Sequence, residues 1–266
     1  VNTFVRSWGT SGSDVTNLYG FNIAAVGGWI GSIGQWGLQL ANNPNDEHGI
    51  PIPVFNGAIG GAPVADHLRD DANPENPDTI YGRLLWRVRQ AGVEDAVRAI
   101  FWHQGESDGT MAYNTYLGLW TTMYTAWLED YPNVEGVFPF QIRAGCGNPT
   151  WSRNVQRELP TLLPKVPASM STTGVSGHDG CHFYSIAYTE WGDRMSRIVS
   201  REIYGVTPPG NIDAPNPQSA TWTSPTTLEI DYGATGGAMT LQTGAESYFS
   251  LSDGATITNV AVVNAK

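Results

Sequence analysis

Basic residues are scarce in this chain. Its 14 Lys and Arg stand against 25 Asp and Glu, a formal charge of −11, and only 15% of residues are charged. No basic face is available for nucleic acid or anionic lipid, which removes both as partners. No apolar run approaches the roughly 20 residues that cross a bilayer, so membrane insertion is not expected either, and no signal peptide is visible. Cysteine is almost absent, with only Cys146 and Cys181, and neither Cys-x-x-Cys nor His-x-x-x-His spacing occurs. A structural zinc framework therefore lacks its ligand pattern, and no metal or other cofactor is expected. An initiator Met is also missing, and the chain opening at Val1 reads as a processed or truncated product.

What is present points to a globular protein. The 266 residues, 41% of them apolar, suffice for one large domain, or for a medium domain with a small companion. Ten Trp, eleven Tyr and 31 Gly suit a secreted, sugar-handling protein, although buried aromatics give the same count. Cys146 and Cys181 each lie beside glycine in polar surroundings. A disulfide in an oxidising compartment and a pair of inert thiols are both compatible with that.

Residues 1 to 31 are rich in Gly, Ser, Asn and Trp and read as surface loop, with short apolar pieces at Thr3 to Val5 and Ile23 to Val26. Ile33 to Leu40 reads as a helix and Ile50 to Phe55 as a buried strand, followed by the glycine turn Asn56 to Pro63. Asp78 is placed to cap a helix carrying Ile80, Leu84, Leu85 and Val88, closed by Gly92. A strand over Ala96 to Ile100 leads into Phe101-Trp102-His103-Gln104-Gly105-Glu106-Ser107-Asp108. Tyr116, Leu119, Trp120, Met123, Tyr124, Trp127 and Leu128 then recur at helical spacing, the mark of a buried face. Val134 to Ile142 is a strand, Ser152 to Leu163 a helix, Val166 to Met170 a short strand, and Ile186 to Val199 a helix. Strands alternating with helices predict a parallel sheet with helices on both faces.

The character changes after Gly205. Pro208-Pro209-Gly210 and Pro215-Asn216-Pro217 make residues 206–217 a stiff linker. Beyond it, residues 218–266 alternate short strand patterns at Ala220 to Trp222, Thr227 to Tyr232, Ala238 to Thr243, Ser247 to Leu251 and Ile257 to Val263. That pattern predicts a small β-sandwich, and its stop at Lys266 directly after a strand reads as a module cut short.

Three constellations carry chemistry. Asp179-Gly180-Cys181-His182 puts a carboxylate three residues before a histidine, so the acid can face Nδ1 and leave Nε2 to a nucleophile. A helix cap beside an ordinary loop histidine is the plain alternative. A metal cluster of Cys146, His178, Asp179, Cys181 and His182 is a further one, disfavoured because side chains so closely spaced rarely converge on one ion. Backbone N–H groups of Gly60 or Gly61, with the amide of Gln104 from the neighbouring strand, could hold an oxyanion; a tight βα turn explains the glycines alone. Last, Gly105-Glu106-Ser107-Asp108-Gly109 fits the G-x-S-x-G elbow with Ser107 as nucleophile, yet that fold draws its acid and histidine from different strands.

Together, Gly60-Gly61, Trp102 to Ser107 and Asp179 to His182 resemble the sialate O-acetylesterase and carbohydrate acetylesterase branch of the SGNH hydrolases, over about residues 50 to 205. The resemblance implies a three-layer α/β/α domain over residues 1–205 in which Asp179 orients His182, His182 is the general base, and Gly61 or Gly60 with Gln104 forms the oxyanion hole. Glu106, with His103 beside it, would support the site. It also implies an acetylated glycan as substrate and a secreted or cell-surface setting. The family's nucleophilic serine sits in a Gly-Gln-Ser-Asn turn after the first strand, and no such turn occurs here. Ser7, Ser11 and Ser13 follow too short an apolar segment to be that turn. In a sheet ordered 2-1-3-4-5 the absent strand belongs between those ending at Phe55 and at Trp102. Three accounts follow: a longer parent polypeptide, which is favoured; a neighbouring chain that donates the strand; or a replacement supplied by residues 1 to 31. The leading function is a serine esterase removing acetyl groups from glycans, and the alternative is a glycan-binding or surface-assembly protein on an inactive esterase scaffold.

Overall fold

A computed structural model describes residues 2–8, 20–26, 32–147, 149–233, 239–241 and 243–263. It separates into two compact units, Val1–Val206 and Thr207–Lys266.

The first unit is a layered α/β structure. Its strands are β1 (Val5–Trp8), β2 (Phe21–Ile23), β3 (Ile52–Val54), β4 (Ala99–Trp102), β5 (Gly136–Gln141) and β6 (Met170–Ser171). The helices are α1 (Gln35–His48), α2 (Ile80–Gln90), α3 (Tyr113–Asp130), α4 (Thr150–Leu162) and α5 (Ser185–Glu202). Pairing is parallel throughout except for β1 with β2, as expected where helices cross between successive strands. The strands nevertheless form two half-sheets, β2-β1-β3 and β4-β5-β6, with no pairing of β3 to β4 among the described residues.

Helix cores follow the apolar spacing. The α3 stripe buries Tyr116, Trp120, Met123 and Trp127, sharing one cluster with Leu85 and Val88 of α2 and Val155 and Leu159 of α4. On α2 the N-cap is Thr79, not Asp78: the Thr79 hydroxyl accepts the Gly82 N–H at 3.0 Å, while Asp78 stands one position too early. Helix α1 runs past the expected Leu40 to His48 and packs on α5, where Gly192 leaves room for Gln39.

The N-terminal region corrects one expectation. Residues 5–8, read as loop, form strand β1, with Val5 and Ser7 buried; four residues suffice because β3 supplies a parallel edge. This strand lies on the outer side of β3, so the described part of residues 1 to 31 does not occupy the space between β3 and β4. Ser11 and Ser13 lie outside the described residues.

In the second unit, β7 (Ser219–Ser224) and β8 (Thr227–Asp231) pair as an antiparallel hairpin, followed by a 3-10 turn at Ala245–Tyr248. The strands expected over Ser247 to Leu251 and Ile257 to Val263 do not form, and of Ala238 to Thr243 the residues Ala238 and Gln242 lie outside the description. The described residues thus show one hairpin of the predicted sandwich and no second sheet to pack on it.

Candidate active site

Chemistry gathers at the C-terminal ends of the parallel strands, where an open α/β sheet places its ligands. Four loops meet there, and each is held by a specific contact.

The loop after β3 ends in the turn Gly60-Gly61. Gly61 has φ +77°, a left-handed conformation that favours glycine, and a side chain on either residue would meet open space. Among the described residues the two N–H groups have no acceptor, so they remain free to donate to an incoming oxyanion. Their carbonyl side is anchored instead: Ser107 Oγ donates to Gly61 O at 2.9 Å, and Gln104 Nε2 to Ala62 O at 3.1 Å. Ser107 therefore sits on a 3-10 turn (Glu106–Asp108) with its hydroxyl fastening the glycine turn, rather than at the apex of a strand-to-helix elbow.

Gln104 follows β4 and is buried. Its second amide hydrogen goes to Asp108 Oδ2, which also accepts the Val64 N–H at 3.0 Å. Both hydrogens are thus engaged in this arrangement, and an oxyanion would reach Gln104 only in exchange for one of them. Beneath it, Gln156 Nε2 donates to Gln104 O at 2.6 Å and to Tyr116 Oη at 3.1 Å. Burial pushes the Tyr116 phenol well above its ordinary range, so it serves this network as a neutral hydroxyl. Asp108 and Gln156 are functional supports that the sequence reading missed. Asp108 was visible as the last letter of the motif; Gln156 gives no signal, because nothing in a helical Gln shows that it reaches 52 positions back to another strand's loop.

His103 and Glu106 form a side-chain pair, Nε2 to Oε1 3.6 Å, with the imidazole packed 4.6 Å from the Trp191 ring. Burial lowers the His103 pKa, and the Glu106 carboxylate opposes that shift without reversing it. Glu106 is fixed from behind by Gly147: a Cβ there would lie 2.1 Å from Glu106 O.

Asp179 and His182 come together as the spacing requires. Asp179 Oδ1 accepts the N–H groups of Cys181 (2.8 Å) and His182 (2.7 Å), and Oδ2 faces His182 Nδ1 at 3.3 Å. The two backbone donors, with the histidine, hold the Asp179 carboxyl down at about 2. An ionised carboxylate against Nδ1 fixes the tautomer that leaves Nε2 as acceptor, and the His182 side chain is 78% exposed.

The histidine loop is tied to the others covalently. Cys146 and Cys181 form a disulfide with Cα atoms 4.7 Å apart, and Arg143 donates to Gly180 O. The link runs Glu106, Gly147, Cys146, Cys181, His182, so the histidine loop and the loop after β4 share one frame. Both thiols are consumed by the bridge, and no group of three His, Cys, Asp or Glu side chains converges among the described residues.

The parallel α/β domain thus carries a carboxylate–histidine pair and a glycine turn together on the loops at the C-terminal ends of its strands. Residues 30–201 match the family described as carbohydrate esterase, sialic acid-specific acetylesterase, and the chain belongs to that family. Solved structures share the fold. A protein of Arabidopsis thaliana solved at 1.6 Å aligns with a TM-score of 0.56 at 18% identity, over 74% of this chain and 80% of its own. A carbohydrate acetylesterase from Xanthomonas citri aligns with a TM-score of 0.61 at 16% identity, over 89% of this chain. The match spans 57% of the Xanthomonas protein's length. No curated protein sequence matches the chain.

Proposed function

We propose that this chain carries the base and oxyanion portion of a serine esterase that removes O-acetyl groups from carbohydrates. The observation that carries the reading is the Asp179–His182 pair, with its aspartate held ionised by two amides and its imidazole Nε2 open. In the reaction a serine Oγ attacks the acetyl carbonyl carbon while His182 Nε2 takes the hydroxyl proton. The tetrahedral oxyanion rests on the N–H groups of Gly60 and Gly61, with Gln104 a third donor if it releases Ala62. Collapse breaks the bond to the sugar oxygen, which leaves with the proton from His182. Water then repeats the sequence on the acetyl-serine, giving acetate and free serine. A disulfide beside the base suits a secreted or cell-surface protein.

Acetate release from an acetylated carbohydrate by the native polypeptide tests this. His182→Ala should lose roughly 10²–10⁴-fold in kcat, the span of general base catalysis. Unchanged turnover in that variant would overturn the assignment.

One observation favours a second reading. Among the described residues no serine hydroxyl bonds to His182: Ser107 donates to Gly61 and Ser7 is buried on β1. A chain acting alone in this form would bind an acetylated glycan without cleaving it, and calorimetry showing saturable binding with no acetate released would select that reading.

A further inference from the structure

The loop that carries His182 is a short two-stranded arm. Tyr184 N–H donates to Gly177 O at 2.7 Å, His178 pairs antiparallel with Phe183, and Asp179 N–H donates to His182 O at 3.0 Å, closing the turn. Side chains along such an arm alternate between its two faces, and cross-strand partners share a face. Phe183 takes the inner face: it is buried, with its ring 4.7 Å from that of Trp191 and 5.6 Å from that of His178. The outer face therefore shows Asp179 with His182 at the tip, and Gly177 with Tyr184 behind them. Along the extended chain His182 and Tyr184 stand roughly 7 Å apart.

What lies behind the base is apolar and open. The position opposite Tyr184 has no side chain, and a Cβ on Gly177 would lie 3.5 Å from Tyr184 Cδ2 and 3.9 Å from Ile186 Cγ2. The tyrosine ring and the isoleucine, which stands on the first turn of α5, thus share one patch over the glycine. Tyr184 is 56% exposed and Ile186 75%. Among the described residues no other ring packs against Tyr184 and no group bonds its hydroxyl. One exposed apolar residue is ordinary on a protein surface; two side by side, next to a reactive group, mark a place where something docks.

We infer that Tyr184, with Ile186, is the platform that seats the sugar ring of the ester cleaved at His182, and that it selects pyranoses esterified on an equatorial oxygen. This rests on the esterase reading above, which puts the acetyl group against the base and leaves the alcohol part of the substrate to lie on what adjoins it. On the outer face of the arm that neighbour is the tyrosine ring. A pyranose chair with equatorial hydroxyls presents a face of axial C–H groups, while its hydroxyls fan out at the rim. That face matches an uncharged aromatic ring beside an aliphatic side chain, and Tyr184 Oη at the ring's edge is free to bond a rim hydroxyl. A sugar lying flat on the platform sends its equatorial substituents along the arm toward His182; an axial ester would point into the platform or away from it. His182 and the glycine turn touch only the acetyl group, so the platform is what distinguishes a sugar ester from a simple alkyl acetate.

The test uses the native polypeptide and three probes: a methyl β-glucopyranoside with one equatorial acetyl ester, a methyl β-mannopyranoside with an axial one, and ethyl acetate, which has no ring. The preference in kcat/KM for the glucoside over ethyl acetate should fall about tenfold in Tyr184→Ala, through KM rather than kcat, and about threefold in Ile186→Ser, while Tyr184→Phe keeps most of it. The preference for the equatorial over the axial ester should fall in step. An equal loss on all the probes would make Tyr184 a structural residue of the arm and overturn the platform, as would full preference in Tyr184→Ala. Trp222, 55% exposed in the second unit, is the control: loss of the preference in Trp222→Ala instead would move the sugar site there. Binding separates this claim from turnover. Saturation-transfer NMR should mark the axial protons of the glucoside, and Tyr184→Ala should abolish the effect. That pattern with no acetate released would retain the platform and count against the esterase reading; acetate released from every probe irrespective of Tyr184 would do the reverse.

Discussion

A methyl group on Gly105 would stand 2.9 Å from both Gln156 Nε2 and Ile142 Cδ1, on a backbone with φ +143°. Few substitutions in the molecule combine a closed space with a strained conformation in this way. Gly105→Ala should cost about 2–4 kcal/mol, read as a lower urea midpoint, and an unchanged midpoint would show that the loop yields freely. At this scale the motif letters were legible for a physical reason: glycine and the short Asp-x-x-His spacing act locally, and local geometry is written in adjacent residues. Gln156 and Arg143 were not legible, because they act on loops reached only through the fold. Ser107 shows the same limit from the other side. Its sequence surroundings fit a nucleophile elbow, and only the position of Gly61 reveals a hydroxyl spent on holding a turn.

Among the elements, the loop from β6 into α5 depends most on its tether. It has few buried side chains of its own around His182, and the Cys146–Cys181 bridge spans a sequence separation of 35 residues. Replacing both cysteines by serine should lower stability by about 2–4 kcal/mol and reduce activity in the native polypeptide, since the base loses its fixed frame. Stability and activity both unaffected in calorimetry and assay would show the loop to be held by Arg143 and the Asp179 turn alone. Sequence reading left this pair open between bridge and thiols, because pairing is a question of which loops meet. Helices fared better: the α3 stripe is periodic enough to identify its buried face unaided. Strand β1 was missed because four residues give no period to read, and its parallel edge on β3 is a tertiary fact.

Across the whole molecule, acid should be destabilising in a defined window. Burial lowers the pKa of His67, against the weaker opposing pull of Asp66 and Asp108, and burial lowers that of His103. Among the described residues the buried His67 Nε2 has no hydrogen-bond partner, and its ring meets Trp102 edge-on at 4.9 Å. The unfolded chain then binds protons more readily than the folded one, so stability is full above the unfolded histidine value near 6.5 and falls as pH drops through it. The melting temperature should decline from pH 7 to pH 5, with a shallower decline in His67→Gln. An equal slope in the variant would remove His67 from this account. The half-sheets belong to this scale too. Parallel pairing was legible from the alternation of strands and helices, whereas strand order and the place of the gap came only from the family resemblance. The second unit was legible in part: of the short β-patterns separated by glycine, the described residues pair Ser219–Ser224 with Thr227–Asp231, where two of the expected strands lie.

The account turns on a serine activated by His182. Treating the native polypeptide with a fluorophosphonate and mapping the adduct by peptide mass spectrometry tests it most directly. The predicted result is a single labelled serine other than Ser107, with labelling lost in His182→Ala. An adduct on Ser107, labelling that survives in His182→Ala, or no adduct at all would contradict it.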